Sequence, residues 1–332
     1  MNDYRTVEQL RDLLELCQYR SRIDTDNLES LLNLIETAQH FDGIEGPIRT
    51  SGTGYQTALL RLIAGVLQET QVFTLDALPD QLMTPHGTEI KAASDVNRRT
   101  RFLGPQGYDE VARMILTFAS DARFSFITFN YDLGLEIALT ARGIAWTHSG
   151  IVASSSTDYK TVQIIKPHGT LGLPDDQDGS GLRQSIQSFV EQQNSSIATG
   201  IQIRDVRYRI PLADGEVPRI VPPSENKLTS REQHRDAWHG GMHALRNAQI
   251  IAVAGYSLPP TDQFVRHWFA LAGTSAGVLR RVFLCDRDPN AIQRWRDLFG
   301  LQIGARTRVL DDFRTFCYAV RKDYLDNDSV WS

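Results

Sequence analysis

A chain of 332 residues with 41% hydrophobic and 23% charged side chains has the composition of a globular protein, long enough for one large α/β domain with insertions or two smaller ones. Its formal net charge of −5 gives no electrostatic reason to expect a nucleic-acid surface, so DNA or RNA is not the expected ligand. The three cysteines, Cys17, Cys285 and Cys317, stand far apart with no CxxC, which argues against a disulfide framework or a cysteine-only zinc site and suits a reducing cytoplasm.

The first residues, MNDYRTVEQL, lack a basic stretch leading into an apolar one, and no apolar run reaches the roughly 18 residues of a membrane span. Val7, Leu10, Leu13, Leu14 and Cys17 recur at helical spacing, as do Leu28, Leu31, Leu32 and Ile35. HFDGIEGPIRTSGTGYQ then reads as a loop, TGYQTALLRLIAGVLQET as a helix, PDQLMTPHGTEIKAASDVNRRTRF as irregular and GYDEVARMILTFAS as a further helix. Residues 1–120 are therefore expected to be mainly helical. Beyond them strands alternate with helices: FSFITF and DLGLEIALTARG, then TVQIIK, then AQIIAVAGYS and PTDQFVRHWFALAG, then RRVFLCD and NAIQRWRDLF, and a last helix through FRTFCYAVRKDYL. Continuous apolar strands separated by helices predict a Rossmann-like parallel sheet with helices on both faces, with a core over 121–172 and 246–322. The polar stretch 173–245 reads as an insertion or lid in a chain, 1–332, that forms one domain.

Ligands of such sheets bind beyond the carboxyl ends of the strands, and the polar residues gather there. FSFITF ends in Asn130-Tyr131-Asp132, TVQIIK in Pro167-His168-Gly169-Thr170, IIAVAG in Tyr256-Ser257 and RRVFLC in Asp286. Each has a plain structural reading: Asp132 before LGLEIAL is also a good helix cap, and His168 also suits a turn. Four strand ends carrying polar groups on one side are harder to explain that way.

TFNYDLGLE, KPHGTLG and GYSLPPTD, in this order and followed by FLCDRDPN, resemble the sirtuin-like NAD-cleaving domains of bacterial antiphage defence proteins. NLESLLNLIE is similar to a helix common in that family, so the resemblance covers about residues 25–320. It implies that Asn130 and His168 are the catalytic pair, and that Asp132 lies near the nicotinamide end of NAD. It further implies that Gly169, Gly255 and Ser257 contact the cofactor, the latter two at its diphosphate or ribose, and that Asp286 lies near the adenosine ribose. An oligomer and an activating protein partner are implied as well. The chain departs from the family pattern in one element: no glycine-rich strand-to-helix turn stands ahead of these motifs. Ser51-Gly52-Thr53-Gly54 follows the NLESLLNLIE helix and reads as an ordinary flexible loop.

The residue types suit the chemistry. Nicotinamide leaves NAD as a neutral molecule from a cationic precursor, so its departure needs no acid and leaves an oxocarbenium-like ribosyl centre. An amide such as Asn130 can hold ribose hydroxyls or water, a base such as His168 can take the proton of the attacking oxygen, and Asp132 can favour the cationic transition state. Deacylating sirtuins carry a zinc module of four cysteines, and three unpaired ones cannot supply it. Water as acceptor, giving an NAD glycohydrolase with NAD as substrate and no metal, is the expected activity, ahead of deacylation or ADP-ribosyl transfer. The alternative from another class is an inactive nucleotide-binding or scaffold subunit. His239 and His243 are four residues apart, as a helical metal pair would be, but without a clear third ligand they read as surface residues together with His234. Trp238, Trp268 and Trp295 read as core.

Overall fold

A computed structural model of the chain describes residues 52–70, 72–73, 82–83, 89–90, 106–118, 122–148, 161–172, 179–198, 206–210, 220, 235–260, 262–273, 279–300 and 306–328. The two helices expected before residue 51, together with Cys17 and His234, lie outside them. The strands are β1 Val72–Phe73, β2 Leu82–Met83, β3 Glu89–Ile90, β4 Ser125–Ile127, β5 Trp146–Thr147, β6 Val162–Ile165, β7 Val206–Arg207, β8 Ile250–Ala254, β9 Arg281–Cys285 and β10 Thr307–Leu310. The helices are α1 Gly52–Thr70, α2 Gln106–Leu116, α3 Gly134–Ala141, α4 Ser180–Ala198, α5 Arg235–Asn247, α6 Gln263–Gly273, α7 Pro289–Phe299 and α8 Phe313–Asp328. The expected loop at 51–54 is thus corrected: Gly52–Gly54 already belong to α1, whose apolar residues carry the helical period back to the glycines.

The fold is α/β, with two three-stranded parallel sheets in the orders β5-β6-β4 and β8-β9-β10. Their side chains show how the two relate. Along β9, Phe283 and Cys285 enter one apolar cluster while Val282 and Leu284 enter a second, as the alternation of a strand requires. Phe126 of β4, Val162 and Ile164 of β6, Ile250 of β8 and Leu310 of β10 share the first cluster. Ile127 of β4 with Ile251 and Val253 of β8 share the second. Both sheets therefore contribute side chains to the same two apolar clusters. Helices cover both sides: Phe316, Cys317 and Val320 of α8 face the first core, and Val265 and Trp268 of α6 with Ile292 and Trp295 of α7 face the second. No strand pairing joins β4 to β8 among the described residues.

Local sequence explains the helices nearest the strand ends. Asp288 caps α7 by accepting the Asn290 N–H at 2.9 Å, Pro289 opens the first turn, and Gly300 at φ +74° ends it. Every residue of α3 is buried, which fits its apolar sequence except for Glu136. Between α5 and α6, Trp268 packs on Gly241, where a Cβ would lie 2.5 Å from the indole, and donates from Nε1 to the Trp238 carbonyl at 3.2 Å. Within 173–245, α4 buries Leu182, Ile186 and Val190 and α5 buries Trp238, so this stretch contributes to both cores. Trp238, Trp268 and Trp295 are all buried, while His239 and His243 are exposed on α5. The small strands β5 and β10 extend each sheet at its outer side and had no strong period of their own in the sequence.

Candidate functional site

The apolar run FSFITF stops because its own side chains bend it. Thr128 still donates its N–H to Ile165 O at 3.0 Å, but its Oγ1 accepts the Asn130 N–H at 3.1 Å, turning the backbone out of the sheet. Asn130 is left exposed at the tip. Asp132 then closes the turn: its Oδ1 accepts the Gly134 N–H at 2.8 Å at the start of α3. The carboxylate is thus engaged with the first helical residue, although the helix N-cap position itself is Leu133, whose side chain can make no capping bond.

The turn after β6 is tied directly to this one. Gly169, at φ +83°, donates to Lys166 O at 2.9 Å, and Leu171 donates to Tyr131 O at 3.0 Å. Lys166 reaches back through its ammonium group to the Asp132 carbonyl, to Thr170 Oγ1 at 3.3 Å and to Glu136 Oε1 at 2.7 Å. His148 Nε2 meets the same Glu136 oxygen at 2.8 Å. Burial alone would raise the carboxyl pKa of Glu136, but the Lys166 charge and the contacts from His148 outweigh it and hold it down at about 2. A carboxyl lowered on folding adds stability that is present above its ordinary value of 4.5 and lost as pH falls toward 2. Melting temperature should therefore fall through that window, and Glu136→Gln should flatten this slope while lowering stability at neutral pH. An unchanged slope in the variant would assign the acid sensitivity elsewhere.

At the end of β8, Gly255 takes φ +68° and donates its N–H to Cys285 O at 3.0 Å. Among the described residues nothing lies within 4 Å of a Cβ built there, so the backbone angle calls for glycine. The following turn is pinned from α7: Trp295 Nε1 donates to Tyr256 O at 2.7 Å and Arg294 Nε to Ser257 O at 2.8 Å. The Tyr256 hydroxyl donates to Asp262 at 2.6 Å. Because Ala254 pairs with Cys285, Asp286 stands beside Gly255, and its Oδ1 accepts the Asp288 N–H at 2.9 Å.

One aromatic side chain brings the motifs together. The Phe129 ring lies 5.0 Å from the His168 ring and 4.6 Å from Tyr256, centroid to centroid, with Trp238 6.0 Å from His168 behind them. Asn130, His168, Gly169, Gly255 and Tyr256 consequently gather at the carboxyl ends of β4, β6 and β8, with Asp132 in the same turn as Asn130 and Asp286 one strand further out. Among the described residues β4 and β8 are edge strands of their two sheets. On β8, Ala252 and Ala254 are exposed small side chains. Aromatic faces, an exposed amide and an imidazole suit a planar ring attached to a sugar.

Sequence reasoning missed Phe129, Tyr108, Lys166, Glu136 and Trp238 as parts of the site. Phe129 read as part of the apolar strand FSFITF, Trp238 as core, and Glu136 as one residue of the helix DLGLEIALTARG. Only Lys166, a charge at the end of an apolar strand, carried a visible signal. Tyr108 donates from its hydroxyl to Asp132 Oδ2 at 3.0 Å, and burial, followed by the Asp132 charge, pushes its pKa up, so the phenol keeps its proton. Among the described residues no group of three or more His, Cys, Asp or Glu could hold a metal, and no helix is long and apolar enough to cross a membrane. No protein-family model matches the chain, and no curated protein matches it by sequence.

Proposed function

We propose that the chain is an NAD glycohydrolase on a sirtuin-like Rossmann arrangement, cleaving the nicotinamide–ribose bond to give nicotinamide and ADP-ribose. The observation that carries this reading is the convergence of Asn130, His168 and the Gly255-Tyr256 turn around Phe129 at the carboxyl ends of β4, β6 and β8. In this reading the nicotinamide and its ribose enter beside Phe129, and the diphosphate runs along the Gly255-Ser257 turn toward Asp286. Asn130 holds the ribose hydroxyls or the attacking water, and His168 takes the proton that water loses as it bonds to the anomeric carbon. Asp132, with both oxygens already accepting hydrogen bonds, acts through its charge on the ribosyl cation and not as a base.

Nε2 of His168 is closed to solvent in this structure. A base in that state needs an opening before it can work, which fits an activity released by oligomerisation or by a protein partner. The setting we assign is cytoplasmic antiphage defence, where depletion of NAD arrests the infected cell. The same closure favours one second reading, a nucleotide-binding subunit without turnover. Incubating the purified chain with NAD, alone and with candidate partners, should release nicotinamide and ADP-ribose, read by chromatography. A melting shift with NAD but no release under any of these conditions would sink the glycohydrolase and leave the binding subunit.

A further inference from the structure

Helix α2 brings to the site a group that no strand end supplies. The hydroxyl of Tyr108 lies 3.0 Å from Asp132 Oδ2 and 3.3 Å from Asn130 Nδ2. Counting protons fixes who donates. An ionised carboxylate only accepts, and Asp132 Oδ1 already takes the Gly134 N–H, so the single phenolic proton goes to Oδ2. The phenol oxygen is then an acceptor toward Asn130, which must offer its NH2 group. The carbonyl end of the Asn130 amide consequently faces away from Tyr108.

Two features hold the phenol in place. Its ring lies on the backbone of Gly134, where a Cβ would come within 2.3 Å of Cε2, so only glycine admits this contact. The next residue, buried Asp109, fixes α2 to the end of α3: it accepts from Arg142 Nε at 2.7 Å and from a second Arg142 nitrogen at 2.9 Å. A helix clamped this firmly presents the hydroxyl at a set point.

We propose that Tyr108 is a positioning residue that orients the Asn130 amide with its carbonyl oxygen outward, as an acceptor for an O–H group of the ligand, a ribose hydroxyl or the attacking water. The proposal rests on the NAD-cleaving reading for its catalytic consequence, but not for the orientation itself. Tyr108→Phe keeps the ring on Gly134 and removes only the hydroxyl. It should lower kcat by about tenfold, the worth of one oriented hydrogen bond, with KM changed much less. In an Asn130→Ala background the same change should have no further effect on kcat, because the residue it acts through is gone. An independent readout is the side-chain amide resonance of Asn130 in protein carrying 15N-asparagine, assigned by its loss in Asn130→Ala. That resonance should move in Tyr108→Phe. If it stays where it is, or if the kcat loss is as large without Asn130, the positioning role is overturned. If the wild-type chain releases no nicotinamide, the NAD-cleaving reading fails, and the amide resonance alone decides the orientation.

Discussion

Asn130→Ala is expected to lower nicotinamide release by about 10²- to 10³-fold, and His168→Ala by about 10²- to 10⁴-fold, the ranges for losing an oriented polar group and a general base. Fold stability separates these losses from trivial ones. Asn130 is exposed, and among the described residues its side chain bonds to the Tyr108 hydroxyl, so its removal should move the melting temperature little. His168 packs against both Phe129 and Trp238, so a smaller hole-filling change, His168→Gln, is the better companion to alanine there. The two residues would act on one ribosyl centre, so the double variant should be little worse than the worse single one. Losses that multiplied would mean two independent roles. Full turnover in both single variants would remove Asn130 and His168 from the chemistry and with them the site described above.

Much of the fold was legible because its strands are short, apolar and separated by helices with clear periods. VQII, IIAVA and RVFLC stand where the apolar runs predicted them, and α3, α6, α7 and α8 follow the runs expected of them. The weaker elements were not legible for a physical reason. Trp146–Thr147 makes a two-residue strand whose pairing with β6 depends on a neighbour 16 residues further along the chain, and no local period records that. Thr307–Leu310 likewise becomes a strand through β9, with Val309 exposed. At the site, sequence marked the residues that end the strands, because polar groups after an apolar run are conspicuous. It did not mark what holds them. Tyr108 reaches Asp132 from 24 residues away, and Glu136 sits in a helix whose other residues are nearly all apolar. Such partners are chosen by how the elements pack, and their residue types alone look ordinary.

Lys166→Met is the substitution expected to damage both stability and function. Lys166 is buried, and its ammonium is the principal charge facing the fully buried Glu136. Removing one member of a buried ion pair leaves the other desolvated without compensation, a cost of about 3 to 5 kcal/mol, and His148 alone covers only one oxygen of the carboxylate. Among the described residues Glu136 Oε2 has no hydrogen-bond partner, so little else there is at hand to absorb the charge. The ammonium also bridges the Asp132 carbonyl and Thr170, and its loss would free the turn carrying Asn130 from the turn carrying His168. Pairing Lys166→Met with Glu136→Leu separates the two effects. The double variant removes both charges and should recover much of the lost stability, since an apolar pair can replace a buried ionic one at small net cost. The tether between the turns stays absent in that variant, so nicotinamide release should remain depressed at temperatures where it is folded. Recovery of stability and turnover together would mean that Lys166 serves only to neutralise Glu136, and that the two turns hold their relation without it.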